Sequence, residues 1–174
     1  SVASLGDYET QSNLLLTIFI HQRMSKSFNL ATGIFDTLLE LVQDGSMAVH
    51  SMSTKGIIRK SLNWINSHKD GQVSSFKMLS ATVFGSVYEC TENELWLDFN
   101  VESITTSLQD NKGPVLVEIE YECILHWALD HGYTLKIGTN RSAGLSEFKL
   151  MDLQSLCATV ELLQRKAKVS AFLE

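Results

Sequence analysis

The sequence predicts an α+β chain, a helical-repeat segment followed by an antiparallel barrel capped by a C-terminal helix. Three observations carry this reading. Up to about residue 70 the apolar residues recur at helical spacing. From Gln72 they alternate with period two, the signature of strands with one buried face. A last helical stripe begins after Asp152. The change of period divides the chain into a helical part, 1–71, and a sheet domain, 72–174.

In the helical part, Asp7 is placed to cap a first helix, with Glu9 in its opening turn and Leu14, Leu15, Ile18 and Phe19 as its apolar face. A second helix is expected over 29–43, with Leu30, Ile34, Leu38 and Leu41 in line and Asp44-Gly45 as its stop. Ser53 or Thr54 opens a third, which carries Ile57, Ile58, Leu62 and Ile65 and ends at Lys69-Asp70-Gly71. Three amphipathic helices joined by short polar turns suggest helical-repeat architecture.

Strands are expected over 73–80, 94–100, 103–109, 115–121, 124–129, 133–138 and 147–151, with 81–88 ambiguous because Gly85 suits a bulge or a bend. Around 94–100, Leu95, Leu97 and Phe99 point one way and Glu94, Trp96, Asp98 and Asn100 the other. Val115, Val117, Ile119 and Tyr121 share a face opposite Glu118, Glu120 and Glu122. Asp110-Asn111-Lys112-Gly113-Pro114 and Asp130-His131-Gly132 supply turns. Asp152 caps the final helix, whose predicted stripe is Leu153, Leu156, Val160 and Leu163. About seven antiparallel strands and one closing helix fit a pleckstrin-homology-like barrel better than an OB barrel, in which the helix usually interrupts the strand order.

Charge narrows the choice of partner. Residues 1–72 carry six basic and six acidic side chains, whereas residues 73–174 carry eight and fourteen, so the whole net charge of −6 lies in the sheet domain. Phosphate backbones and anionic lipids are repelled by such a surface, and a charged partner for it should be basic. Cys90, Cys123 and Cys157 are far apart and form no C-x-x-C, which points to a reducing, intracellular compartment and away from a metal site. The longest apolar run, 14–20, is far short of the roughly 18 residues a membrane span requires. The chain opens on Ser1, and a piece of a longer protein is expected.

Several short motifs occur in order: Gly6-Asp7-Tyr8-Glu9 with Gln11; Arg59, Leu62-Asn63 and Asn66; Leu79-Ser80-Ala81; and Trp96-Leu97-Asp98-Phe99-Asn100 behind Glu92 and Glu94. In this set the sequence resembles the N-terminal region of the synaptonemal complex protein 2 family, the core proteins of the meiotic chromosome axis. The resemblance covers residues 6–100 and continues beyond them only as a pattern of hairpin, strand and helix. It implies the end of an armadillo-like domain leading into a pleckstrin-homology-like domain of the histone-chaperone type. It further implies a nuclear, chromosomal location and a non-enzymatic role in recruiting chromatin or chromosome proteins, with no cofactor. The family's coiled-coil tail and its HORMA-binding segment have no counterpart here, so oligomerisation and HORMA binding are not carried over.

His126 and His131 flank a hairpin with Asp130, but Cys123, the nominal nucleophile, lies at an odd position where His126 is even, so the two point to opposite strand faces. Phosphoinositide binding needs clustered bases, and the sequence offers Lys112 beside Asp110 with Lys136 and Arg141 isolated. Arg59 and Lys60, with His68 and Lys69 near Trp64, form a modest basic patch on a helix; a solvated face is the simpler account, and direct nucleic-acid binding is disfavoured. The carboxylates Glu118, Glu120 and Glu122 are the candidate partner-binding residues, suited to a Lys- or Arg-rich segment such as a histone tail, although acidic alternation also keeps an exposed face soluble. The surface around Arg59, Lys60 and Trp64 is the alternative.

Overall fold

The structure is a computed structural model that describes residues 6–24, 54–68, 73–89, 94–110, 113–141 and 144–167. The helix expected over 29–43 and the turns at 69–71 and 111–112 lie outside these residues. The chain divides into two compact units, Ser1–Val73 and Ser74–Glu174.

The described part of the first unit consists of helices α1 (Tyr8–Met24) and α2 (Thr54–His68). Asp7 caps α1: its Oδ1 accepts from the Thr10 N–H at 2.7 Å, satisfying one of the donors a helix start leaves open. The inward stripe differs from the expected one. Tyr8, Gln11 and Leu15 are buried, whereas Leu14 and Leu16 stand partly in solvent. Tyr8 and Leu15 join Ile58, Leu62 and Val73 in a small core. Gln11 enters it because Asn66 faces it: the Asn66 Nδ2 donates to Gln11 Oε1 at 2.7 Å and the Gln11 Nε2 donates back to Asn66 Oδ1 at 3.2 Å. Each buried amide thereby satisfies the other, which removes the desolvation cost that otherwise excludes glutamine from a core. Two described helices make a packed pair; a repeat array is not shown.

The second unit is one antiparallel sheet and a helix. Its strands are β1 (Ser74–Val83), β2 (Ser86–Glu89), β3 (Leu95–Phe99), β4 (Ser103–Asp110), β5 (Gly113–Glu120), β6 (Ile124–Asp130), β7 (Thr134–Thr139) and β8 (Leu145–Leu150), followed by α3 (Leu153–Lys166). They pair in the order β5-β4-β3-β1-β8-β7-β6, with β2 also on β1. The register explains the extra strand. β2 pairs with 80–83 of β1 and β3 with 74–78, so the two run end to end along one edge of β1. They act as a single second strand interrupted by residues 90–94.

Phe99, Ile104, Trp127, Phe148, Leu156 and Leu163 all belong to one core. Strands from both ends of the order therefore face a common interior, and the sheet is curled. It does not close. β5 and β6 are its two ends, joined by the 3₁₀ turn Tyr121–Cys123, so the expected barrel is a half-barrel with α3 packed into its core.

Two local expectations need correction, and at Gly85 one of two alternatives is realised. Of the bulge or bend expected at Gly85 the structure takes the bend; a bulge lies between Met78 and Ser80, where Leu79 is the extra residue against β8, and burial runs through Met78 before it and shifts to Ala81 and Val83 after it. Phe84 (φ 53°) and Gly85 (φ 78°) form the two-residue turn between β1 and β2. Both faces of β3 are out of solvent, because Trp96, Asp98 and Asn100 are buried along with Leu95, Leu97 and Phe99. The α3 stripe is Leu156, Thr159, Leu162 and Leu163, with Leu153 57% exposed and Val160 at the margin. The Asp152 cap is as expected, its Oδ1 accepting from the Ser155 N–H at 2.7 Å.

Candidate interaction surface

β5 is the end strand of the sheet. Val117 and Ile119 fill the core from its inner face, while Pro114, Leu116 and Glu118 stand outward in solvent and Glu120 is half-buried. Glu118 and Glu120 are thus brought onto one face as expected. Glu122 is not, because the strand ends at Glu120 and Glu122 lies in the 3₁₀ turn, where the two-residue alternation no longer applies. That turn forms because Tyr121 and Cys123 both go inward. The Tyr121 hydroxyl donates to the Asn100 carbonyl at 3.0 Å, and burial pushes its pKa well above the ordinary tyrosine range.

The two remaining carboxylates are not equivalent. Glu120 is held by Arg141 through a paired contact, Nη1 to Oε1 at 2.9 Å and Nη2 to Oε2 at 2.8 Å. That contact raises the guanidinium pKa. Glu118 accepts from the neutral Ser103 hydroxyl at 2.9 Å, and no cation pairs with it among the described residues. Beside it Leu116 is 69% exposed. Leu116 and Arg141 were missed from the sequence. Leu116 was visible as an apolar residue on the Glu118 face, but the Arg141 contact joins residues 21 apart in sequence and follows only from the sheet order.

In the alternative surface, Arg59 is turned towards α1. Arg59 donates to the Tyr8 hydroxyl at 2.9 Å, and its guanidinium lies 4.1 Å from the centre of that ring. It is thus committed to packing α2 on α1. Lys60 is exposed and Trp64 half-buried, one helical turn apart, and the side chain of His68 lies outside the described residues. The isolated bases of the sheet domain are also engaged. Lys136 pairs with Asp130 at 2.7 Å and reaches Glu147 at 3.7 Å, and the Asp130 carboxyl is held below its ordinary range first by that hydrogen bond and then by the His131 N–H.

Cys123 is buried, with its Sγ 3.7 Å from Glu120 Oε2. Burial raises its thiol pKa, which leaves less of the reactive thiolate. Glu120, Glu122 and Cys123 have ligand atoms within 4.8 Å of one another, but Arg141 already takes both oxygens of Glu120. No described helix is long and apolar enough to cross a membrane.

No protein-family model and no curated protein matches the sequence. Among the solved structures similar to this chain is one described as the structure of the Spt16D Pob3N heterodimer, matched at a TM-score of 0.43 and 10% identity. The match covers 59% of this chain and about half, 54%, of that one.

Proposed function

We propose that this chain is a non-enzymatic protein-interaction module whose sheet domain receives basic segments of chromosome proteins. The observation that carries the reading is Glu118, an exposed carboxylate without a cationic partner among the described residues, next to exposed Leu116 on the outermost strand. The surplus of acidic side chains in residues 73–174 favours a basic ligand over nucleic acid or anionic lipid. The strand order, read with β2 and β3 as one strand, is two antiparallel meanders, β1 to β5 and β6 to β8, joined where β8 pairs with β1 and followed by a helix, which supports a pleckstrin-homology-like domain. The resemblance through Trp96-Leu97-Asp98-Phe99-Asn100 supports a setting in the nucleus, in a meiotic axis protein of the synaptonemal complex protein 2 type, with histone segments among the basic ligands and the helical unit as the end of an armadillo-like domain.

The test is fluorescence anisotropy of labelled histone-tail peptides against the chain, with charge-matched acidic peptides and phosphoinositide vesicles as controls. Saturable binding of the basic peptides, weakened by salt and by Glu118→Gln, is expected. Equal binding of acidic peptides, or binding confined to the vesicles, would overturn the proposal.

A further inference from the structure

The hydrogen-bond phase of the sheet determines what else β5 offers besides side chains. At the β3–β4 turn the Asn100 N–H donates to the Ser103 carbonyl at 2.8 Å, so Ser103 and, two residues on, Thr105 turn their backbone groups towards β3. The intervening residues of β4 turn theirs towards β5, and the Tyr121 N–H donates to the Glu102 carbonyl at 3.1 Å in the same phase. The bonds to β4 therefore come from Val115, Val117 and Ile119. The N–H and C=O of Leu116, Glu118 and Glu120 point away from β4, along an edge that no described strand pairs. Pro114 occupies the next position of this phase, where its missing N–H faces outward and costs no ladder bond.

We infer that the outer edge of β5 binds its partner by strand addition, taking an extended basic segment as a further antiparallel strand of the sheet. This rests on the proposed reading of the chain as a receptor for basic segments and adds the mode and register of binding. Leu116, Glu118 and Glu120 present both their outward side chains and their outward backbone groups, so an incoming strand bonds at the residues whose side chains it also meets. Arg141 neutralises Glu120, which leaves Glu118 to fix the register through a Lys or Arg directly opposite. Leu116 then calls for an apolar residue two positions later in the antiparallel segment. The recognised pattern is basic-x-apolar in extended conformation. Pro114 limits the edge on one side, and the 3₁₀ turn limits it on the other.

The test uses a labelled peptide with a Lys-Val-Leu core and three versions of it, each N-methylated at one core residue. In the proposed register the Lys and Leu N–H groups point at β5 and the Val N–H points away. Methylation at Lys or Leu is expected to weaken binding about tenfold, the equivalent of one lost hydrogen bond of roughly 1.4 kcal/mol, with methylation at Val close to neutral. Hydrogen exchange should show the Leu116, Glu118 and Glu120 amides open in the free chain and protected in the complex. If the unmethylated peptide does not bind, strand addition and the reading beneath it both fall. If it binds and all three methylations act alike, or if these amides are already protected without peptide, strand addition falls while the basic-segment reading stands.

Discussion

In β3, Trp96 and Asp98 occupy the positions away from the Leu97–Phe99 face, as Leu116 and Glu118 do in β5 away from the Val117–Ile119 face, yet the first pair is buried and the second stands in solvent. β3 lies inside the strand order with β1 and β4 on its flanks, whereas β5 ends it. The carboxylate of Asp98 survives burial because the Ser75 hydroxyl, directly across the β1–β3 pair, donates to it. Glu118 remains hydrated and needs no such arrangement. One alternating pattern thus produces a strand that holds the domain together and a strand that can be spared for a partner.

The sharpest way to break the comparison is at Phe99, fully buried and edge-on to Phe76 at 5.7 Å between ring centres. Phe99→Ala is expected to cost on the order of 3–5 kcal/mol, read from urea unfolding; an unchanged midpoint would mean that β3 is not the core strand. Next comes Asp98→Ala, which removes the buried Ser75–Asp98 hydrogen bond and should cost about 1–3 kcal/mol. If Asp98→Ala proved as mild as a change at Glu118, the two outward faces would be equivalent after all.

A smaller effect is expected at Lys166, whose ammonium reaches the Asn100 carbonyl at the end of β3. Burial, helped by Arg165, lowers its pKa from 10.5 to about 8. Between these values the unfolded chain holds a proton that the folded chain has released, so stability rises with pH from about 8 towards 10.5. Cys123 and Tyr121, both shifted upward by burial, act in the opposite sense at the alkaline end. A rise in urea midpoint beginning near pH 8 and lost in Lys166→Met checks the sign. The smallest effect belongs to Glu118→Gln, expected to leave stability within about ±0.5 kcal/mol while weakening the capture of basic peptides at low salt.

Periodicity alone located α1, α2, α3 and nearly every strand, because each has a core-facing side whose spacing is written locally. It also identified the caps at Asp7 and Asp152, whose bonds span three residues. What it could not supply is whatever depends on neighbours distant in sequence. The burial of Trp96 and Asp98 is not written in the local alternation, and Gln11 is bonded inside its core by Asn66, 55 residues away. The same limit applies to the candidate surface. Glu118 and Glu120 look identical in sequence, and only the arrival of Arg141 from beyond β7 separates them. Glu122 was misplaced for a nearer reason, since the inward turn of Tyr121 and Cys123 ends the strand one residue early.

The division of one edge of β1 between β2 and β3 has a consequence in time. Parting β2 from β1 would uncover Tyr88 and the edge at Ala81 and Val83, whereas Phe84 and Val87 already stand in water. Parting β1 from β3 would expose Leu95, Leu97 and Phe99 at once. A single strand therefore carries two pairings that meet near Leu79, a four-residue one with β2 and a five-residue one with β3, and the amides of the β2 end are expected to exchange before those of the β3 end.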